Sequence, residues 1–440
     1  MGSGIATVKG YAIMATQDNT SARGSQASAV PDTDTQTRDL LILGGGLVGM
    51  TLALAAAKQG LSSHVVDRAD PADLTAEGFD DRATAISTAS WHLFENIGIA
   101  DALEPFACPI ASIAVTDQNK PGRLDFTPDP GEGTLGRMFP NRRLRLALFE
   151  AAAKEPLINW VAKAEIARRE RSEFGVAVVL DDQNGARKLK GRLMVGAEGR
   201  QSPTREEAGI TIAKWDYHHR AVIAGLAHEK PHGNVAWEIF YPPGPFALLP
   251  LGDDADGTHR SSLVWTVSEA DGNAVVKLGE RAFIAEVQKR MGDVLGKVTG
   301  VGPRSSWPLG FHHTAKITGE RLALVGDAAH GIHPIAGQGL NLGLRDVGTL
   351  AEVLADGARL GLDPGDAQLL KRYENWRGLD SFMVALATDG LTRLFGVPGT
   401  AASAVRRLGM SAVQRTPALK GFFMDEARGV SGNLPDLLRA

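Results

Sequence analysis

The segment Leu40-Leu41-Ile42-Leu43-Gly44-Gly45-Gly46-Leu47-Val48-Gly49, continued by an Ala/Leu-rich stretch to Lys58, decides the fold. Four apolar residues that meet a glycine cluster and then a helix-forming run predict a strand, a tight turn and a helix. A second apolar run over residues 64–67 closes the unit as β-α-β with a parallel strand pair. Gly44, Gly46 and Gly49 keep the G-x-G-x-x-G spacing. Gly44 permits the turn, Gly46 lets the backbone reach a pyrophosphate, and Gly49 lets the helix pack on the strand. The N–H groups of the first turn, around Leu47 and Val48, then face the phosphates. Asp67 ends the second strand about 20 residues beyond the last glycine, where a carboxylate accepts from ribose hydroxyls. Arg68 stands beside it.

Two further apolar runs, residues 193–197 and 322–326, each enter a glycine-containing turn and are expected as later strands of the same sheet. Between them, short β-prone runs at 221–227, 235–241, 246–251 and 261–267 are split by Pro, Gly and Asp. They predict an antiparallel sheet inserted into the nucleotide fold. Beyond Gly343 the chain turns helical, with a break over 361–366. The expected division is a disordered tail at 1–37 and a nucleotide fold built from 38–115, 136–215 and 309–360. The inserted sheet takes 116–135 and 216–308, and a helical region takes 361–440.

Bulk composition excludes several classes of function. A chain of 440 residues exceeds one hydrophobic core, and 43% hydrophobic with 22% charged residues is ordinary globular composition. A formal charge of -4 offers no general attraction for nucleic acid. Cys108 is the sole cysteine, which removes disulfide frameworks and fits a reducing compartment. No apolar run approaches the roughly 20 residues of a membrane span, and no signal-peptide pattern opens the chain. Cytoplasm is the expected location. Residues 1–37 lack any apolar period and carry no chemistry; Met14 inside them is an alternative start.

A second motif runs Leu322-Ala-Leu-Val-Gly326-Asp327-Ala-Ala-His330, then Pro334 and Gly337-Gln338-Gly339-Leu340-Asn341. Asp327, just past a buried strand, is placed for another ribose-type hydroxyl, and the glycines let a planar ring lie on bare backbone. A helix starting near Gly339 aims its positive end at that ring. It would stabilise the negative charge of a reduced flavin, a need that nicotinamide does not have. A third motif, Gly196-Ala-Glu198-Gly199-Arg-Gln-Ser202-Pro-Thr-Arg205, again follows a strand.

In this order the three motifs resemble the FAD-fold aromatic hydroxylases related to para-hydroxybenzoate hydroxylase, and among these the ubiquinone-biosynthesis branch. Further matching stretches are Asp81-Arg82-Ala-Thr-Ala-Ile-Ser87, Asn141-Arg142-Arg-Leu144 with Leu148, Trp215-Asp-Tyr217, Gly244-Pro-Phe-Ala-Leu-Leu-Pro250, Ser262-Leu-Val-Trp265, Trp307-Pro-Leu309 and Ala427-Arg-Gly429. The resemblance runs from Arg38 to the end. It implies an α/β, Rossmann-type FAD-binding fold of mixed and parallel strands, with an inserted antiparallel substrate domain and a helical C-terminal region.

The resemblance also implies roles. Gly44, Gly46, Gly49 and Asp67 would hold the adenosine half of FAD, with Arg82 and Arg142 near the diphosphate and ribityl chain. Asp327 would serve the ribityl side, with Pro334, Gly337 and Gly339 near the ring and the Leu340 and Asn341 backbone at the flavin pyrimidine edge. Glu198, where the family usually carries Asp, belongs to a motif shared between FAD support and NAD(P)H entry. The implied reaction uses NAD(P)H and O2, through a C4a-hydroperoxyflavin, to hydroxylate the aromatic ring of a polyprenylated phenol. A reductase of the same fold, such as an isoprenoid reductase, or a non-catalytic flavin-binding partner in a biosynthetic assembly would share these motifs.

Walls of a hydrophobic phenol pocket are expected from Tyr217, Leu248, Pro250, Trp265 and Ile335. A base to withdraw the phenol proton has eight candidates: His218, His219, His312, His313, His330, His333, Tyr217 and Tyr241. The sequence does not choose among them. Arg393, Arg406, Arg407, Arg415 and Lys420 lie among apolar positions near the C-terminus. They suit either a solvated helix face or a surface resting on a partner or an anionic membrane, as a peripheral protein of the inner membrane would. The His312-His313 pair and the His330-x-x-His333 pair lack companion ligands, so no metal is expected.

Overall fold

The computed structural model describes residues 36–80, 82–182, 185–242, 244–331, 338–378 and 400–440. The expected tail therefore lies outside the described residues, apart from its last two positions. Strand Arg38–Leu43 occupies the centre of an eight-stranded sheet, with Gly185–Gly196 on one edge and Ser63–Val66 on the other, both parallel to it. Leu40, Leu41, Ile42 and Leu43 are all fully buried. Consecutive burial means that both faces of the strand are covered, as in other parallel sheets. Each such leucine contributes about 2 kcal/mol relative to exposure. Leu322–Leu324 and Ile158–Val161 extend the parallel core outward. An antiparallel ribbon, Glu165–Ser172 with Gly175–Asp182, continues from the long Gly185–Gly196 strand.

The register sets Leu43, Gly196 and Leu324 level with one another, so three strand ends open onto one edge. The glycines beyond those ends are enforced by contact. A Cβ on Gly44, whose φ is +103°, would lie 2.5 Å from the Ala197 carbonyl oxygen, and one on Gly49 would lie 1.9 Å from that of Gly44. The helix Leu47–Lys58 can therefore start only where it does. The long helix Gln338–Arg359 packs beside it, with Gly343 directly against Val48 and Gly326.

A second eight-stranded sheet runs, in spatial order, His330–Gly331, Val298–Thr314, Ile212–His228, His259–Ser268, Gly244–Leu251, Val235–Tyr241, Ser112–Asp117 and Arg123–Phe126. It is antiparallel except where Val235–Tyr241 runs parallel to Ser112–Asp117. Its two 17-residue strands run past the expected 216–308 borders at both ends, pairing Ile212 with Thr314. The pairing of His313 with His330 then ties this sheet to the second motif. Helices Glu269–Val276 and Glu280–Met291 follow the central strands. Phe283, Val287 and Met291 of the latter bury against Val222, Phe246, Leu248, Leu263 and Trp265. Period-2 alternation leaves the other parity of those strands for the nucleotide fold.

A small third sheet, Ala83–Ser87, Gly136–Pro140 and Cys108–Ile110, bridges the two. Residues 367–378, Thr400–Arg415 and Pro417–Arg428 complete the helical end, with the expected break at 361–366 falling between helices.

Candidate functional site

A cleft of about 680 Å³ lies between the strand ends of the first sheet and the open face of the second. Its floor is main chain. Gly46, Leu47 and Val48 line it at one helix start, Gly339 and Leu340 at another, with Ala197, Gly199, Arg200, Val325 and Asp327 between them. An added Cβ on Gly46 or Gly339 would meet nothing within 4 Å. Open space over bare backbone at two helix N-termini is what an anionic dinucleotide and a ring that gains negative charge require. The donor set therefore fits FAD.

Asp67 sits at the end of its strand, accepting from the Gly45 amide at 2.6 Å and the Ala69 amide at 2.7 Å. That positions its carboxylate beside the first turn; Arg68, by contrast, points to solvent. Asp327 lies in the short turn Gly326–Ala328, with its side chain 44% exposed and paired to Arg200 at 3.2 Å. An ion pair this exposed is worth little, so a ligand hydroxyl can replace it cheaply. Asn341 is buried and its side chain spans to the third sheet, accepting from the Ser87 amide and donating to the Ala85 carbonyl, both at 2.9 Å. Pro334, Ile335, Gly337, His333 and Asp81 lie outside the described residues.

Two expected cofactor contacts take other roles. Arg142 turns away from the cleft to donate to the Thr75 carbonyl at 2.7 Å. Arg145 lines the cleft instead, because on a helix it shares a face with Asn141, four residues earlier. Glu198 accepts from Arg169 at 2.9 Å, from the Ser202 hydroxyl at 2.6 Å and from the Thr204 amide at 3.2 Å. The carboxylate thus fastens the helix start Pro203–Glu207 to the ribbon, while its neighbours Ala197 and Gly199 face the cleft.

Asp80 organises the cationic side. Arg82 grips it through two nitrogens at 2.7 and 2.9 Å, Arg145 reaches it at 2.6 Å and Asn141 at 3.1 Å. Burial alone would raise this carboxyl, but the Arg82 and Arg145 hydrogen bonds outweigh it and hold the group well below the usual carboxylate range. Arg82 also lays its guanidinium 4.5 Å from the Trp307 ring centre, bridging the two walls of the cleft.

The apolar wall corrects the expected pocket. Pro245, Ala247, Leu249, Val264 and Thr266 face the cleft, with Ala221, Ile223 and Trp307 to Leu309. Leu248 and Trp265 have the opposite parity and are buried beneath the Glu280–Met291 helix, and Pro250 shares their parity on its strand. Tyr217 packs with Trp215 against Phe311 and Leu342. None of the histidines or tyrosines proposed as bases lines the cleft among the described residues. His312 lies 2.8 Å from the Asp327 carbonyl, His330 lies 2.7 Å from Asp346, and Tyr241 donates to the Arg290 carbonyl on the far face. Sequence reasoning missed Arg145, Arg200, Asp346 and Glu238, the last a buried carboxylate in the apolar wall. The signal for Glu238 is a charge in the middle of an otherwise apolar strand, Val235–Tyr241.

A family model described as FAD binding domain matches residues 37–379. Ubiquinone hydroxylase UbiL of Rhodospirillum rubrum is 43% identical over 391 residues, covering 89% of each chain. The 3-demethoxyubiquinol 3-hydroxylase of Escherichia coli is 32% identical over 399 residues, covering 90% of this chain and 99% of the relative. Among solved structures, the p-nitrophenol 4-monooxygenase PnpA of Pseudomonas putida superposes with a TM-score of 0.74 over 90% of this chain and 99% of its own, at 17% identity.

Proposed function

This chain belongs to the FAD-binding-domain family, among the flavin-dependent hydroxylases of ubiquinone biosynthesis, and from that premise we propose how its cleft works on a polyprenylated phenol. The carrying observation is the meeting of three strand ends and two helix N-termini over open backbone, opposite an apolar wall in the same cleft.

Gly44, Gly46, Gly49 and the Leu47–Val48 amides hold the FAD diphosphate, with Asp67 on the adenosine ribose and Asp327 on the ribityl chain. Gly339, Leu340 and the Asn341 backbone receive the ring. Bound FAD supplies the electron transfer and the oxygen chemistry. The protein orients the substrate ring, excludes water through the Ala221, Ile223, Ala247, Leu249 and Val264 wall, and neutralises charge with Arg82 and Arg145. NAD(P)H is the electron donor.

A long isoprenoid tail needs an apolar surface beyond the cleft. On helix Pro417–Arg428 the side chains of Leu419 and Phe422 are exposed, the latter 54%, with Lys420 beside them. They support peripheral contact with a membrane. Arg406 takes no part in that surface, being buried against Asp117 at 3.2 Å. Arg393 and the Arg407 side chain lie outside the described residues. No helix among the described residues is long and apolar enough to cross a membrane.

The test is turnover under isotopically labelled O2 with a soluble prenylphenol. One labelled oxygen in the product supports hydroxylation. NAD(P)H oxidation with an unlabelled, reduced product points to the reductase reading, and bound FAD that NAD(P)H never reduces points to a non-catalytic partner.

A further inference from the structure

We propose that Glu238 receives the substrate's phenolic hydroxyl and takes its proton as the ring acquires oxygen. This assignment rests on the hydroxylase reading above. Register places Glu238 opposite Ala247, Ala247 opposite Val264, and Val264 opposite Ile223, so four side chains form one row across four strands. Side chains opposite one another in a ladder share a face, and all four line the cleft. The next row carries Thr266, Ala221 and Trp307. Glu238 is thus the single carboxylate on this apolar wall among the described residues, and it is only 6% exposed.

A buried carboxylate is costly beside apolar neighbours, and such groups concentrate where proton transfer is needed. The cleft's other carboxylate, Asp327, belongs to the opposite floor and pairs with Arg200. Among the described residues, the wall where a phenol ring would lie therefore carries a single carboxylate, that of Glu238.

The phenol O–H bond breaks and its proton passes to a Glu238 oxygen, while the electron pair moves into the ring. The ring carbon ortho or para to that oxygen forms a bond to one oxygen atom derived from O2. The second oxygen leaves as water, reduced by the two electrons of NAD(P)H; the hydrogen from NAD(P)H, one solvent proton and the proton lost from the ring carbon supply the two hydrogens of that water and the one of the new hydroxyl. Loss of the ring C–H proton restores aromaticity, and Glu238 returns its proton to the phenol oxygen.

The experiment uses FAD-loaded enzyme with 2-geranylphenol and its methyl ether as probes, under labelled O2. Glu238→Gln is expected to bind FAD like wild type and to oxidise NAD(P)H, with labelled product per NAD(P)H lowered at least tenfold. The loss should appear in kcat more than in KM, the acid limb of the wild-type pH profile should vanish, and Glu238→Asp should recover part of the yield. Wild type should bind the phenol about tenfold more tightly than the ether, read from the flavin spectrum, and this comparison stands even where a variant does not fold. Label incorporation by Glu238→Gln at the wild-type yield and pH profile overturns the assignment, as does equal wild-type binding of phenol and ether. Absence of label from wild-type product overturns the hydroxylase reading itself and the assignment with it.

Discussion

The Gly326 amide donates to Asp346 Oδ2 across 2.9 Å, so an acid in the middle of the long helix holds the turn that carries Asp327. The same carboxylate accepts from His330 Nε2 and from Arg377 Nε, both at 2.7 Å, and is wholly buried. Tyr373, from the same C-terminal helical segment as Arg377, donates to the Leu324 carbonyl at 2.9 Å. A strand end, a turn and two helices therefore share one charged knot directly behind the cleft.

Asp346→Ala removes the acceptor common to Gly326, His330 and Arg377. Breaking a buried pair in this way costs about 3–5 kcal/mol. The expected result is a large fall in the urea midpoint together with weakened FAD retention, read by flavin fluorescence. Asp346→Asn keeps an oxygen for the Gly326 amide and should fall between. An alanine variant as stable as wild type would show that the knot contributes nothing.

Gly49 and Gly46 separate folding from binding. The Gly49 Cβ would sit 1.9 Å from the Gly44 oxygen, so Gly49→Ala is expected to displace the helix and lower stability by several kcal/mol, about 3 or more. Gly46 has open space, so Gly46→Val should leave thermal unfolding of the apoprotein nearly unchanged yet give colourless protein, because the side chain fills the diphosphate's place. Parallel melting curves and FAD titrations check both. Tight FAD binding by the valine variant would remove the diphosphate from that turn.

Asp80 makes the pH dependence of the cleft specific. Its folded-state pKa is depressed, so its contribution to stability is complete above the ordinary value of 3.8 and is lost as pH falls below it. The stability difference between wild type and Asp80→Asn should therefore be largest at neutral pH and shrink below pH 3.8. Urea titrations across the acid range measure it. A difference that is flat with pH would mean that Arg82 and Arg145 do not favour the ionised acid.

Contiguous patterns were legible in the sequence and parity was not. The Leu40–Leu43 run and its glycines specify strand, turn and helix because their constraints are local: burial on both faces, and two contacts a Cβ cannot survive. Leu248 and Trp265 were readable as strand residues, but their face depends on the strand's register and on which side the Glu280–Met291 helix packs. A one-residue difference reverses every side chain. Arg142 and Arg145 differ in the same way on a helix: only the one in phase with Asn141 meets the cleft. Asp346 reads as an exposed charge until residues 367–378 bring Arg377 against it.

That parity yields the last prediction, in two neighbouring leucines. Leu248 is 1% exposed and packs with Phe283 and Val287, so Leu248→Ala should open a cavity and cost about 2–5 kcal/mol. Leu249 faces the cleft and is only half-buried, so Leu249→Ala should cost less in folding while raising KM for a prenylphenol or lowering the product formed per NAD(P)H. Chemical denaturation and coupled turnover on both variants separate the two effects. The reverse pattern, with stability lost at Leu249 and coupling lost at Leu248, would place the substrate on the other face of the sheet. It would also move the reaction away from Glu238, whose row across the sheet runs through Ala247 on the cleft face.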